Sequence, residues 1–216
     1  ELHAFICLKG LETDFFISSA IIDVYAKFGF LIEAKKLIAS VPFQSTVSWQ
    51  TLLTGYVEHG CDEEALEYAE GMQRKGVPQN IFSYVYRLKA CGNLCIKVKG
   101  QEIHSEVLVK GLETEIFIST SLIDMYGKCG MLMEAESVLE TFPRRTVVLW
   151  TALISGYVEH GWGKRAIDCF HQMQENGISP SPVTFVCILK ACSLMGMADE
   201  GSHIHSEIMK RGFIEV

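Results

Sequence analysis

The sequence repeats itself at a fixed offset of 101 residues, and this feature limits the possible folds more than any other. Gly-Leu-Glu-Thr occupies positions 10–13 and 111–114, and Gly-Tyr-Val-Glu-His-Gly occupies positions 55–60 and 156–161. The same offset relates Trp49 to Trp150. A long period of this kind predicts stacked copies of one supersecondary unit. Because Glu1-Leu2-His3 aligns with the middle of the later copy, at 102–104, we expect the chain to be part of a longer protein.

Each long copy contains pairs of amphipathic helices. The first apolar stripe at helical spacing consists of Ile17, Ile21, Val24, Tyr25 and Phe28. Gly29 interrupts it, and a second stripe follows before Pro42, consisting of Ala34, Leu37, Ile38 and Val41. Such a pair predicts a helical hairpin, and a lone hairpin cannot bury its apolar stripe. We therefore predict an all-α fold of stacked hairpins that wind into a superhelical solenoid, with the first helices on the inner face, where a ligand is expected.

Charge and hydropathy restrict the class of function. The net charge of −7 argues against nucleic-acid binding by bulk electrostatics, because phosphate binding normally needs clustered Lys and Arg. Charged residues interrupt every apolar stretch, so we expect a soluble chain with no membrane span. Residues 1–9 lack the basic start and apolar stretch of a secretory signal peptide. The eight cysteines include no C-x-x-C pair, which favours a reducing compartment.

An enzyme reading rests on one motif, H-x-E, which occurs as His104-Ser105-Glu106 and His205-Ser206-Glu207. In zinc deaminases this motif supplies a zinc ligand and a proton carrier, together with P-C-x-x-C, which is missing from this sequence. Both copies lie at equivalent points of the repeat, so we interpret them as repeat residues. His203 with His205, and Cys91 with Cys95, lack the further ligands that a metal needs. We predict no catalytic residue, no metal and no cofactor.

Two segments carry a family resemblance: FISTSLIDMYGKCGMLMEAESVLETFP at 117–143 and VLWTALISGYVEHGWGKRAIDCFHQMQENGISP at 148–180. They closely resemble plant pentatricopeptide repeats (PPR) of the PLS subclass, in which long (L), short (S) and standard (P) motifs alternate. The resemblance covers the whole chain and implies a right-handed superhelical array. The motifs it implies are a partial L at 1–14, S at 15–45, P at 46–80, L at 81–115, S at 116–146, P at 147–181 and L at 182–216.

The resemblance implies sequence-specific binding of single-stranded RNA, one base per motif. The fifth and last residues of a motif would face one base together. These pairs are Ser19 with Ser45, Gln50 with Asn80, Val85 with Glu115, Thr120 with Thr146, Thr151 with Ser181, and Val186 with Val216. The Ser and Thr pairs indicate adenine or a purine, whereas Gln50 departs from the usual residues at its place. A valine cannot hydrogen-bond to a base, so the two L motifs are expected to contribute spacing or stacking.

Two further sets of residues follow from the same resemblance. The second residue of each motif would wedge between bases: Phe16, Val47, Phe82, Phe117, Val148 and Val183. The alternative is that these apolar residues simply belong to the core. Lys27 and Lys128, at the thirteenth place of the S motifs, would contact phosphate, although a lysine there also suits the helix dipole. The P motifs have Glu58 and Glu159 at that place, which suggests weak or length-dependent binding.

The function that the resemblance implies is target recognition in an organellar C-to-U RNA editing factor, with single-stranded organellar RNA as the partner. Such factors act in chloroplasts or mitochondria, with a deaminase domain after the array or recruited in trans, and with accessory proteins as further partners. Another role in organellar RNA processing is the near alternative. A scaffold that binds a protein partner is the alternative from a different class, because helical solenoids also bind peptides and the net charge is acidic.

Overall fold

The computed structural model describes residues 14–41 and 46–213, and every regular element in these residues is an α-helix. The chain forms two compact units, Glu1–Leu94 and Cys95–Val216. The predicted all-α repeat array is confirmed. Among the helices of the described residues, none has both the length and the apolar character needed to cross a bilayer.

The first unit contains five helices in its described residues. They are α1 (Phe15–Lys27), α2 (Leu31–Ser40), α3 (Thr46–Glu58), α4 (Asp62–Arg74) and α5 (Ile81–Asn93). Helices α1, α3 and α5 contact one another in sequence. Helix α2 packs against α1 and α3, and α4 packs against α3 and α5. Each helix of the first two hairpins therefore buries its apolar stripe against the other helix of its hairpin and against a neighbouring hairpin.

The second unit repeats this arrangement. Its helices in the described residues are α6 (Lys97–Val109), α7 (Ile116–Lys128), α8 (Leu132–Thr141), α9 (Val147–Glu159), α10 (Gly163–Glu175), α11 (Pro182–Met195) and α12 (Ala198–Lys210). Helices α7, α9 and α11 contact one another in sequence, while α8 and α10 each pack between two of them. We call α1, α3, α5, α7, α9 and α11 the first helices, and the other six the second helices.

The first helices begin at residues 15, 46, 81, 116, 147 and 182. The motif boundaries implied by the resemblance stay predictions. Residues 1–13 of the partial L motif lie outside the described residues, as do 42–45 and 214–216 in two later motifs.

A histidine ties successive hairpins together in both units. His59 Nε2 donates to the carbonyl oxygen of Ala26 over 3.0 Å, and His160 Nε2 donates to the carbonyl oxygen of Gly127 over 2.6 Å. Each ring lies against a glycine of the preceding hairpin turn, Gly29 or Gly130, which has a positive φ. Each carbonyl also accepts from the N–H of that turn glycine, so the histidine provides a second partner at the end of a first helix.

Candidate nucleic-acid interface

The last residues of the motifs lie at the starts of the first helices. Asn80, Glu115, Thr146 and Ser181 are the N-cap residues of α5, α7, α9 and α11, and Asp14 caps α1. Ser45 and Val216, which were predicted to read bases, lie outside the described residues. An N-cap side chain projects at the helix N-terminus, where backbone N–H groups are unsatisfied and the helix dipole is positive.

The predicted pair Thr151 and Ser181 is brought together through a third hydroxyl, that of Thr184. Thr184 Oγ1 lies 2.7 Å from Thr151 Oγ1 and 2.9 Å from Ser181 Oγ. It also accepts from the backbone N–H of Ser181 over 3.1 Å, while Ser181 Oγ accepts from Thr184 N over 3.2 Å. Thr184 is fully buried, so this small network fixes both predicted base-reading hydroxyls at the start of α11.

The other P motif has a different arrangement at its predicted pair, Gln50 and Asn80. Asn80 Oδ1 accepts from the backbone N–H of Ser83 over 3.1 Å and from Ser83 Oγ over 3.2 Å. Because the amide oxygen is occupied in this way, the amide nitrogen of Asn80 is the group directed away from the cap. The amide nitrogen of Gln50 is buried and has no hydrogen-bond partner among the described residues. The Asn80 amide nitrogen is thus available as a donor, whereas that of Gln50 is unpaired but closed off from solvent.

The remaining predicted base-reading residues are less closely organised. Thr120 Oγ1 donates back to the carbonyl oxygen of Ile116 over 2.7 Å, and Thr146 Oγ1 is buried without a hydrogen-bond partner in the described part of the chain. Ser19, Val85 and Glu115 are half-buried, and Val186 is exposed.

The second residues of the six first helices are all solvent-exposed. The exposed fractions of these side chains range from 52% to 79%, for Phe16, Val47, Phe82, Phe117, Val148 and Val183. Their alternative assignment to the core is therefore wrong. Each unit contains three of them, at equivalent points of neighbouring first helices. Second and fifth residues of a helix lie on the same face, so each exposed apolar side chain neighbours a predicted base-reading residue.

The lysines predicted to contact phosphate form ion pairs within their own helices. Lys27 Nζ lies 2.7 Å from Asp23 Oδ2, and Lys128 Nζ lies 3.0 Å from Asp124 Oδ2. The hydrogen bond to Asp23 and its negative charge raise the pKa of Lys27. Both pairs are solvent-accessible, so they contribute little to stability and leave the lysines able to exchange partners.

The H-x-E residues make structural contacts. His104 Nδ1 lies 2.7 Å from the Tyr126 hydroxyl, and burial lowers the pKa of His104. Glu207 accepts from Arg211 over 2.7 Å and from Gln174 over 3.2 Å. Within residues 14–41 and 46–213, no group of three or more His, Cys, Asp or Glu side chains is suited to hold a metal ion.

Sequence reasoning missed Ser83 and Thr184, which hold the predicted base-reading residues Asn80 and Ser181. A signal for them existed, because both are short hydroxyl residues separated by the repeat offset of 101 residues.

Charge is distributed unevenly between the first and the second helices. The first turns of all six first helices, each within the described residues, contain no acidic side chain. Several second helices have acidic first turns, with Glu33, Asp62, Glu63, Glu64, Glu134, Asp199 and Glu200.

Models of known protein families match most of the chain. The PPR repeat model matches residues 16–40, 47–77, 117–146 and 183–213, and the model of the PPR repeat family matches residues 145–193. Among solved structures, the crystal structure of the pentatricopeptide repeat protein PPR10 from maize is similar, with a TM-score of 0.71 and 20% identity. The similarity covers 92% of this chain and 30% of that one. This likeness shows the fold.

Curated relatives from Arabidopsis thaliana agree. The chloroplastic pentatricopeptide repeat-containing protein CRR2 is 36% identical over 206 residues, which cover 94% of this chain and 31% of the relative. A mitochondrial pentatricopeptide repeat-containing protein is 34% identical over 234 residues, covering 99% of this chain and 26% of the relative. The chain thus spans about a third or less of the length of these relatives. Because the family models match well over half of its residues, the chain belongs to the pentatricopeptide repeat family.

Proposed function

We propose that this chain binds single-stranded RNA in a sequence-dependent manner, one base per motif, along the N-terminal ends of its first helices. It would act as the target-recognition segment of an organellar C-to-U editing factor of the PLS subclass. The observation that carries the proposal is the repeated exposure of an apolar side chain at the second position of all six first helices.

Exposed aromatic and branched side chains at the same position of all six first helices suit contact with a ligand. Burying one such side chain yields about 1.5–3 kcal/mol, so folding alone favours placing it in the core. These side chains instead stand at the surface, beside the N-cap and fifth residues of the motifs. A base has a flat π-face that stacks on such groups whatever its identity, and its edge is then available to neighbouring polar side chains.

Charge distribution supports an anionic ligand despite the net charge of −7. The first helices have no acidic side chain in their first turns, whereas acidic residues cluster at the starts of several second helices. The positive ends of the first-helix dipoles are therefore not neutralised locally, apart from the acidic caps Asp14 and Glu115. This separation of charge weakens the argument that an acidic chain is better suited to a protein partner.

The two P motifs are proposed to differ in selectivity. Asn80 presents its amide nitrogen, so it donates best to a ring nitrogen that has no hydrogen, N1 of adenine or N3 of cytosine. Thr184 Oγ1 already accepts from Ser181 N, so it donates to one of the hydroxyls of Thr151 and Ser181 and accepts from the other. Of the Thr151 and Ser181 hydroxyls, one then has a hydrogen left to donate to a base and the other has a lone pair left to accept from it. The distances allow either assignment. We expect this second P motif to accept more bases.

The organellar part of the proposal rests on the family and its named relatives, which include chloroplastic and mitochondrial proteins. Other organellar RNA processing is the near alternative. Sequencing of organellar transcripts from plants that lack the protein separates the two. Loss of C-to-U conversion at defined sites supports editing, whereas altered transcript ends or splicing with all sites edited contradicts it.

Selection from a random RNA pool tests the RNA-binding proposal directly. We expect enrichment of a short sequence with A or C opposite residues 46–80 and a looser choice opposite residues 147–181. A Phe117→Ala variant should bind the selected RNA about tenfold more weakly, because one stacking contact is worth about 1–3 kcal/mol.

Met133→Ala is the matched control for Phe117→Ala. Met133 lies in α8 of the same unit and is 62% exposed, against 60% for Phe117, so both changes should leave stability nearly unaltered. Equal RNA affinities of the two variants would contradict the proposed stacking role. Saturable binding of an organellar protein, with no sequence enriched from the RNA pool, would instead support a protein-binding scaffold.

A further inference from the structure

The first unit contains a cavity of about 410 Å³ among α2, α3 and α4, beside the first turn of α3. Its apolar lining includes Ile38, Ala39 and the rings of Trp49 and Tyr68, which stack with centroids 4.7 Å apart. This volume lies within the range of pockets that hold small organic molecules. Nothing in the proposed RNA recognition uses these residues.

Two buried hydrogen-bond donors of the cavity wall lack partners. Trp49 and Tyr68 are only 4% and 7% exposed, and neither the Trp49 Nε1 nor the Tyr68 hydroxyl has a hydrogen-bond partner among the described residues. An indole N–H can only donate, and burial raises the pKa of Tyr68, which keeps its hydroxyl protonated. Buried donors are nearly always paired in folded proteins. Trp150 Nε1 of the second copy is buried and unpaired as well, but Trp49 and Tyr68 are the residues that line a cavity large enough for an acceptor group.

Cations surround the same cavity. Lys35, Arg74 and Lys75 line it together with Glu67 and Glu70, so the balance of charge is positive. Lys75 Nζ lies 5.0 Å from the centroid of the Trp49 ring. An acceptor group that has a negative charge suits this setting better than a neutral one, because the cations attract it and the buried donors bind it.

The second copy of the repeat provides an internal comparison. The cavity beside Trp150, which is equivalent to Trp49, measures only about 70 Å³. Larger residues replace the small ones there, because Glu140 and Gln172 stand where the first copy has Ala39 and Gly71. The cations are replaced as well: Glu136, Glu175 and Asn176 stand where the first copy has Lys35, Arg74 and Lys75. Arg145 and Arg165 line the smaller cavity, but three carboxylates outnumber them there, so space and a positive balance of charge occur together in the first copy.

We propose that the cavity of the first unit binds a small organic oxyanion, a carboxylate or phosphate group on a flat apolar body. Its oxygens accept hydrogen bonds from Trp49 Nε1 and the Tyr68 hydroxyl, and its charge is balanced by Arg74 and Lys75. Both donor atoms are closed off from bulk water, so binding requires side chains around the cavity to move. The cavity lining includes none of the residues proposed to contact RNA, and neither proposal depends on the other.

Indole N–H resonances of the ¹⁵N-labelled chain report on the site directly. The three tryptophans give three such signals, which Trp49→Phe and Trp150→Phe variants assign. We expect titration with benzoate or phenyl phosphate to shift the Trp49 signal saturably, with a Kd that is roughly millimolar for ligands of this size. The Trp150 signal should not move. Comparison of the two probes shows whether the carboxylate or the phosphate is preferred.

Three controls make the test decisive. Gly71→Gln places the residue of the second copy into the cavity, where an added Cβ meets nothing within 4 Å, and should abolish the shift while the chain stays folded. Arg74→Glu should weaken phenyl phosphate about fivefold, through loss of one charge contact and gain of a repulsive one. Benzamide, a neutral isostere, should bind much more weakly than benzoate. An unmoved Trp49 signal, equal shifts at Trp49 and Trp150, or equal binding of benzamide and benzoate would each overturn the proposal.

Discussion

Two first helices of the second unit approach each other closely at two glycines, and this contact makes a sharp prediction about stability. A Cβ added at Gly156 in α9 would lie 3.0 Å from the Cα of Gly127 in α7. Carbon atoms in contact prefer separations of about 3.5–4.0 Å, so Gly156→Ala forces the two helices apart by about half an ångström or more. This spacing also sets the distance between Thr120 and Thr151, which are proposed to face successive bases.

The expected cost follows from two opposing effects. Overpacking of a tight contact costs about 1–3 kcal/mol. Replacing glycine by alanine within a helix returns about 1 kcal/mol. We therefore expect Gly156→Ala to destabilise the second unit by about 1 kcal/mol, which lowers Tm by roughly 2–4 °C in a chain of this size. RNA affinity should fall as well.

Gly201→Ala in α12 is the matched control. The nearest heavy atom to its added Cβ is Cys192 Cβ at 3.8 Å, an ordinary contact, so this change should stabilise by up to about 1 kcal/mol. Gly127→Ala should be better tolerated than Gly156→Ala, because the first unit already has Ala26 opposite Gly55 at the equivalent crossing.

Thermal unfolding, with hydrogen exchange of peptides from α7 and α9, measures these effects. Exchange should accelerate in both helices for Gly156→Ala and in neither for Gly201→Ala. If Gly156→Ala stabilises the chain as much as Gly201→Ala does, the glycine contact does not determine how the first helices pack.

Other predictions concern pH, salt and capping. Burial lowers the pKa of His104 in the folded state, so the unfolded chain takes up the proton first and stability falls as the pH drops through 6.5. Thermal unfolding of His104→Gln should depend less on pH in this range, and an unchanged dependence would contradict the effect of burial. The logarithm of RNA affinity falls linearly with the logarithm of salt concentration, and Glu159→Lys should make this slope steeper by about 0.7 because it adds one phosphate contact. An unchanged slope would show that the residue does not contact the RNA backbone. Asn80→Ala should destabilise by about 1 kcal/mol through loss of the α5 cap, and Asn80→Asp should not; equal urea midpoints for the two would exclude the capping role.

The fold was predictable from the sequence because the apolar stripes and the glycines that end them are local signals. Gly29, Gly60 and Gly130 all have positive φ at hairpin turns, where glycine is the residue of least strain. Periodicity alone does not show whether the second residue of a helix turns inward, so the exposure of Phe16 and its equivalents could be expected only from the family resemblance. The contact of Thr184 with Thr151 also escaped, because it joins neighbouring first helices 33 residues apart in sequence.

Comparison of the two copies of the repeat distinguishes residues that build the fold from residues that give each copy a different surface. Residues shared at the 101-residue offset make the internal ties: His59 and His160 bond to equivalent carbonyls, and Gly55 and Gly156 allow equivalent helix crossings. Several residues that differ lie where a ligand is proposed. Gln50 with Asn80 is replaced by Thr151 with Ser181 at the RNA interface, and Lys35 by Glu136 at the oxyanion cavity. Because both copies share one backbone plan, exchange of these side chains between copies should move ligand preference without altering the packing that supports it.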